Sequence, residues 1–157
     1  MITRNLHNNI MRHITGTDTY YMARSGEELT IGGTHGSFAY CSGLITGLVS
    51  YPPFQRTLRI GTGTTAPSYD DYELEQFLDI DPKNIMFARS GSYQDNYDIV
   101  TAIFVNETDA DWIVTEVGTY VSIDNTDSTK ALLLAREVFD PVTVKPGQTF
   151  SVSMKLF

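Results

Sequence analysis

The densest group of chemically capable side chains lies between Asp70 and Asp81. It holds six carboxylates: Asp70, Asp71, Glu73, Glu75, Asp79 and Asp81. Carboxylate oxygens are the ligands that Ca²⁺ prefers, but their spacing does not follow the ordered D-x-D-x-D-G loop of an EF-hand. Paired carboxylates also serve glycoside hydrolysis, yet no aromatic-rich cleft pattern surrounds these. We therefore interpret the segment as a solvated acidic edge, with a weak calcium site as the alternative.

A glycine-rich turn precedes this acidic segment. Residues 61–66, Gly-Thr-Gly-Thr-Thr-Ala, fit the G-x-G-x-x-A pattern of dinucleotide-binding sites, and a predicted strand comes before them. That chemistry requires the turn to open a helix whose N-terminus holds the pyrophosphate. Pro67 follows at once, and the acid at the expected distance, Asp81, precedes Pro82 in a turn. We therefore predict no nucleotide cofactor at this turn.

The candidate nucleophiles and metal ligands lack the partners they need. Cys41 is the only cysteine, which excludes an intrachain disulfide and the Cys₄ and Cys₂His₂ zinc sites. His35 lies six residues from Cys41 in a glycine-rich segment, and His7 and His13 are six residues apart, so the last two do not share a helix face. The G-x-S-x-G pattern is absent. We expect no enzymatic activity and no catalytic, cofactor-binding or metal-binding residues.

The charge balance narrows the classes of partner. The net charge is −8 and only 19% of the residues are charged. An acidic chain is poorly suited to non-specific nucleic-acid binding, which needs Lys and Arg to displace counterions from phosphate, or to docking on an anionic membrane. No stretch approaches the roughly 20 apolar residues that span a bilayer, and no secretory signal is visible. We expect no direct nucleic-acid, membrane or small-molecule partner.

The N-terminal third is predicted to be a helix followed by an irregular arm. Residues 3–16 are predicted to form a short helix, because apolar residues recur at i, i+4 and i+8. These residues are Leu6, Ile10 and Ile14. Six glycines between Gly26 and Gly47 indicate loops or an extended arm. We treat residues 1–56 as this N-terminal helix and glycine-rich arm or loop region.

The remaining chain, residues 57–157, is predicted to be a mainly β domain. Alternating or doubly apolar runs predict six strands, over residues 57–61, 85–88, 97–105, 112–123, 130–139 and 149–157. Pro141 is expected to end the fifth of these, and residues 70–78 are expected to form a short helical turn. Regular strand spacing without intervening helices favours an antiparallel β-sandwich of the jelly-roll or Ig-like kind over βαβ units.

Several residues outside the predicted strands are candidates for assembly contacts. The first 25 residues carry Arg4, Arg12 and Arg24 against a single acid, Asp18. This asymmetry predicts that the arm of one subunit meets the acidic edge of the next; an ordinary exposed helix is the alternative. Tyrosine is favoured at interfaces. The full set of candidate contacts is Arg4, Arg12, Tyr20, Tyr21, Arg24, Tyr51, Tyr69 and Tyr72.

Three segments resemble a type of structural protein of tailed bacteriophages. Residues 58–74 resemble its strand followed by a G-T-G-T-T-A-P turn and an acidic step into Leu. Residues 112–120 resemble its E-x-G-x-Y strand. Residues 132–157 resemble its closing hairpin, in which the terminal strand follows a K-P-G turn. The resemblance covers about two thirds of the chain.

The resemblance implies a virion protein with a β-sandwich fold. On this basis we expect a non-enzymatic subunit that assembles with itself and with other capsid, neck or tail proteins, in virions formed in the bacterial host cytoplasm. The alternative is a carbohydrate-binding host-attachment module of a tail or head fibre. Such a module needs planar aromatic platforms, and the single tryptophan, Trp112, falls inside a predicted strand.

Overall fold

The computed structural model describes residues 1–5, 19–21, 26, 28–30, 56–89, 98–122 and 131–156. Eight β-strands lie in these ranges. They are β1 (Thr19–Tyr21), β2 (Glu28–Thr30), β3 (Arg56–Gly61), β4 (Asn84–Arg89), β5 (Asp98–Val105), β6 (Trp112–Ser122), β7 (Ala131–Val144) and β8 (Thr149–Leu156). The predicted mainly β character is confirmed, and the six strands predicted after residue 56 all form.

The strands form three antiparallel sheets. Strands β3, β6 and β7 form one three-stranded sheet in that order, and β4, β5 and β8 form another. The short strands β1 and β2 pair separately. For brevity, the β3-β6-β7 sheet is called the first sheet and the β4-β5-β8 sheet the second.

One apolar cluster draws on both three-stranded sheets. In β5, the central strand of the second sheet, Val100, Ala102 and Phe104 are fully buried. The cluster also contains residues of β3, β6, β7 and β8: Leu58, Ile60, Trp112, Val114, Val117, Ala135, Val144 and Met154. Burial of these side chains supplies the main apolar driving force for bringing the sheets together.

Strand β7 contradicts the prediction that Pro141 ends it, since the strand continues to Val144. The β6–β7 register shifts at this point: Val114 pairs with Val142 and Glu116 with Val138. The bulge sets residues 139–141 of β7 against the single residue Thr115. Because residues in a bulge are excused from the regular ladder, proline can stand there without leaving a missing donor.

The acidic segment does not form the predicted helical turn over residues 70–78, so that prediction is wrong. It forms separate turns, and Phe77 makes a β-bridge with Gly61. The reason is that three successive backbone N–H groups, at residues 74, 75 and 76, donate to the side chains of Tyr120 and Glu116. A helix would direct such groups to carbonyls four residues earlier.

The start of the chain lies against β7. Ile2 forms a β-bridge with Ala135, and the Thr3 N–H donates to the Leu134 carbonyl at 2.9 Å. Of the helix predicted over residues 3–16, only residues 3–5 lie in the described part of the chain, and of these Arg4 and Asn5 have helical backbone. The rest of that prediction, and most of the glycine-rich arm, fall outside it.

The predicted closing hairpin is wrong in its pairing: the K-P-G turn forms, but it leads from β7 of the first sheet to β8 of the second, and β8 pairs with β5. Gly147 in the K-P-G turn has a φ of 77°, which L side chains rarely adopt. The turn is tied to the β5–β6 connection by Asn106, whose backbone bonds to Gln148 and Gly147 at 2.9 and 2.7 Å. Its buried side-chain amide donates to the carbonyls of Ala110 and Val144, both at 2.8 Å. Within the described ranges, no helix has the length and apolar character to cross a membrane.

Candidate functional site

The most unusual group in the fold is Glu116, a carboxylate with 0% exposure in the middle of β6. Its Oε1 accepts hydrogen bonds from the backbone N–H groups of Gly63 at 3.0 Å and Gln76 at 2.8 Å. Its Oε2 accepts from the Glu75 N–H at 3.1 Å and from Arg136 Nε at 2.8 Å. Four donors therefore replace the water that this carboxylate loses on burial.

The glycines of the G-T-G turn let the backbone approach this carboxylate. A Cβ at Gly61 would lie 2.4 Å from Glu116 Oε1, and one at Gly63 would lie 2.7 Å from the same atom. Both distances are shorter than real contacts allow. The pattern that imitates a dinucleotide fingerprint thus surrounds the protein's own carboxylate.

Arg136 is the positive centre of the same cluster, and its side chain is 3% exposed. Besides Glu116, its guanidinium binds Asp71 Oδ2 through Nη1 at 2.9 Å and Glu75 Oε2 through Nη2 at 3.5 Å. Burial by itself lowers the pKa of Arg136, but its hydrogen bonds to Asp71 and Glu116 outweigh burial and raise the pKa above its ordinary value. The side chain therefore remains a fixed cation.

Glu75 fastens the turn to the acidic segment. Its Oε2 accepts from the backbone N–H groups of Thr64 and Thr65 at 2.9 and 2.8 Å, and its Oε1 accepts from the Thr65 hydroxyl at 2.8 Å. These hydrogen bonds lower the pKa of Glu75. The bond from the Thr65 N–H has the largest effect, and the bond from the Thr65 hydroxyl has the next largest. Asp71 makes a similar hydrogen bond to the backbone earlier in the chain, where its Oδ2 accepts from the Ser68 N–H at 2.8 Å.

The E-x-G-x-Y motif places three alternate residues of β6 against residues 74–76. Glu116 binds the backbone of this segment, and Gly118 leaves room for Leu74, whose Cδ2 would lie 2.9 Å from an added Cβ. The Tyr120 hydroxyl accepts from the Leu74 N–H at 2.9 Å, and burial raises the pKa of this phenol. The three residues of the motif therefore form the surface of β6 on which the acidic segment packs.

The N-terminal residues complete the cluster on its β7 side. The Thr3 hydroxyl donates to the Leu133 carbonyl at 2.6 Å. The Arg4 guanidinium forms an ion pair with Asp70 and lies 5.6 Å from the centre of the Tyr69 ring. Arg4, a candidate assembly contact, therefore meets the acidic edge of its own chain.

An open cleft of about 440 Å³ lies over this arrangement. Its lining comprises Thr65, Asp70, Asp71, Tyr72, Glu73, Leu74, Glu75 and Arg136. Within the described part of the chain, no group of three or more His, Cys, Asp or Glu side chains is arranged to hold a metal ion. The contacts of Asp71 and Glu75 show why: both carboxylates are directed to Arg136 and to backbone N–H groups.

The other candidate contacts have different positions. Tyr69 and Tyr72 lie at the surface, 39% and 42% exposed. Tyr20 and Tyr21 belong to β1. The remaining three, Arg12, Arg24 and Tyr51, lie outside the described residues.

Sequence reasoning missed Glu116 and Arg136 as a pair. Each is a single charge beside apolar residues, in Trp-Ile-Val-Thr-Glu-Val and in Leu-Leu-Leu-Ala-Arg. An ionic residue inside an apolar strand must find a compensating partner. That signal was present in the sequence.

Comparison with known proteins finds no matching family model, no matching curated protein and no matching solved structure.

Proposed function

We propose that this chain is a non-enzymatic structural subunit of a bacteriophage virion, which assembles with itself and with other capsid, neck or tail proteins. The observation that carries the proposal is the use made of the phage-like motifs. The G-T-G turn encloses Glu116 of the E-x-G-x-Y strand, and that strand receives Leu74 of the acidic step. Motifs that bond to one another in this way stabilise the fold, and a structural subunit must keep its fold within an assembly.

The chemistry of the cluster also favours a structural role. A catalytic carboxylate must reach a substrate proton or atom. Glu116 instead already accepts hydrogen bonds from four protein donors, and the guanidinium of Arg136 is bonded to three carboxylates. These groups stabilise the packing of the acidic segment on β6 and offer little reactivity to a ligand.

The fold that we assign to this subunit is an antiparallel β-sandwich. Two three-stranded sheets contribute to one buried cluster. Their strands place buried and half-buried residues alternately, as in Val100, Thr101 and Ala102 of β5. This pattern is what two sheets packed face to face require. A sandwich of the jelly-roll or Ig-like kind leaves its outer surfaces for contacts with neighbours.

Surface aromatics support the proposal of one such contact face. Tyr69 lies beside the Arg4–Asp70 ion pair, and both Tyr69 and Tyr72 are exposed to solvent. Tyrosine gives large contact area at small entropic cost. We assign this face to contacts with a neighbouring virion protein.

Mass spectrometry of gradient-purified phage particles tests the proposal. The chain should remain with the particles at a fixed ratio to the major capsid protein. A Tyr69→Ser/Tyr72→Ser variant should fold normally and be incorporated poorly, whereas Ile113→Ser, which alters an exposed apolar residue on β6, should be incorporated normally. Finding the chain in the lysate but not in the particles would contradict the proposal.

The host-attachment alternative has weaker support. Trp112 is only 8% exposed, and its indole N–H donates to the Thr108 hydroxyl at 3.2 Å. It therefore presents no face on which a sugar ring could stack. Binding of the purified chain to a glycan array would favour that alternative.

A further inference from the structure

The two three-stranded sheets differ in the backbone hydrogen bonds that their edge strands make outside the sheet. In the first sheet, residues 76–78 bond to β3, with the Thr62 N–H to the Gln76 carbonyl at 2.9 Å and the Leu78 N–H to the Ile60 carbonyl at 3.0 Å. Residues 1–3 similarly cover β7 at positions 134–136. In the second sheet, no described residue outside β5 forms a backbone hydrogen bond with β4. The outer edge of β4 therefore carries polar groups that a further strand could satisfy.

The side chains of β4 are apolar on both faces. Ile85 packs against the core cluster. Phe87 aligns across the sheet with Val100 and Met154, so it lies on the core-facing side. Phe87 is nevertheless 46% exposed, and Met86 on the opposite face is 47% exposed. Natural edge strands are usually protected by central charges, proline or bulges, and β4 has none of these between its ends.

These features favour a second copy of this chain as the occupant. The chain has a net charge of −8, so two copies repel except where acids are few. Strand β4, Asn-Ile-Met-Phe-Ala-Arg, contains no acidic residue. Its outer backbone edge can bond to a further strand. In an antiparallel pair of two β4 strands, the apolar side chains at the centre of each strand lie opposite one another.

The register of such a pair follows from the faces of the sheet. Opposed residues point to the same face, so a two-fold axis must pass through one residue rather than between two. An axis at Met86 would place Lys83 opposite Arg89, and like charges directly opposed are destabilising. An axis at Phe87 places Phe87 opposite Phe87 and Met86 opposite Ala88, so apolar residues meet at the centre of the pair, and it places Arg89 opposite Ile85 and not opposite another cation.

We propose that two copies of this chain pair antiparallel along β4, with Phe87 on the two-fold axis, and so join two second sheets into one six-stranded sheet. This contact deepens the proposed function, on which it rests, by naming one of the self-contacts of the subunit. It is an isologous interface, in which each copy offers the same surface.

Sedimentation and cross-linking of the full chain test this contact, in a Cys41→Ser background that removes the native thiol. The purified chain should sediment as a dimer, and Met86→Lys, which adds a charge to the edge, should make it a folded monomer with an unchanged circular dichroism spectrum. On mild oxidation Phe87→Cys should form a disulfide-linked dimer, because directly opposed Cα atoms lie about 4.5–5.5 Å apart. Ser153→Cys, which lies on the other edge strand, should remain unlinked.

Three results would overturn the contact. They are a wild-type chain that stays monomeric up to its solubility limit, an oligomer that Met86→Lys leaves unchanged, and a Phe87→Cys chain that cross-links no better than Ser153→Cys. If any of these occurs while the chain is still found in purified particles, the β4 contact fails and the proposed function stands. Absence from the particles counts against the proposed function regardless of the dimer.

Discussion

Arg136 Nε donates to Glu116 Oε2 at 2.8 Å, and both side chains are buried, at 3% and 0% exposure. The two residues lie on neighbouring strands of the first sheet, 20 positions apart in sequence. Around this ion pair, the G-T-G turn and the acidic segment are fixed by hydrogen bonds to Glu116, Arg136 and Glu75. The pair therefore determines the shape of the outer surface of the first sheet.

Removing the charge of Glu116 should destabilise the protein strongly. In Glu116→Gln, the new amide N–H₂ faces backbone donors, and Arg136 loses its buried counter-ion. Breaking a buried pair in this way costs about 3–5 kcal/mol of the free energy of unfolding. Urea denaturation measures the change, with Glu137→Gln on the same sheet but exposed as the control, expected within about 0.5 kcal/mol of wild type. A loss for Glu116→Gln no larger than that of the control would show that the pair does not hold the fold.

Substitution by alanine should destabilise the protein more at Gly61 than at Gly147. In Gly61→Ala, the new Cβ would lie 2.6 Å from the Gln76 carbonyl oxygen as well as against Glu116. Backbone must therefore move, at an expected cost of at least about 2 kcal/mol. Gly147→Ala meets no atom within 4 Å and is strained only by its φ of +77°, at about 1 kcal/mol. Thermal unfolding of the two variants checks the order, and the reverse order would contradict the close-approach explanation.

Glu75 should contribute an acid-sensitive part of the stability. The hydrogen bonds from Thr65 lower its pKa below the ordinary value of 4.5. A group whose pKa is lowered on folding stabilises the native state fully above its unfolded pKa, and this contribution is lost as the pH falls through the folded pKa. The stability difference between wild type and Glu75→Gln should therefore be constant above about pH 5 and shrink below about pH 4. Urea denaturation across this range measures it, and a difference that grows on acidification would refute the assignment.

Tyr120 should show the opposite dependence on pH. Burial raises the pKa of its phenol, so its protonated form is favoured by folding. The associated stability is complete below the unfolded value of about 10 and is lost as the pH rises beyond it. Tyr120→Phe should weaken this alkaline loss.

At neutral pH the same variant leaves the Leu74 N–H without its acceptor. The expected cost is about 1–3 kcal/mol. Hydrogen exchange of the Leu74 amide should accelerate in Tyr120→Phe, while the amide of Asn106, which donates to the Gln148 carbonyl, keeps its protection. Unchanged exchange at Leu74 would show that this bond does not anchor the acidic segment.

Much of the fold was predictable because strand signals are local. The apolar run over residues 97–105 and the turn residues around Gly147 indicated a strand and a turn directly. The end predicted at Pro141 was wrong because proline's missing donor is absorbed by a bulge that depends on pairing with β6. The helical turn predicted over residues 70–78 was wrong because its N–H groups bind side chains 40 to 46 positions away, on β6.

The cluster itself was less accessible to sequence reasoning. The G-T-G turn was recognised as a turn from its own residues, but what it encloses depends on a strand 53 residues later. Likewise, the acids were recognised as a group, whereas their partner Arg136 lies 61–65 positions away. Such pairings follow from sheet order and register, which local patterns do not specify.

An electron-microscopy map of the intact phage particle tests the central claim most directly. We predict that density for this chain occupies symmetry-related positions in the particle, with the face bearing Tyr69 and Tyr72 buried against a neighbouring protein. A map of the complete particle in which no density accommodates the two three-stranded sheets would contradict the claim that the chain is a virion subunit.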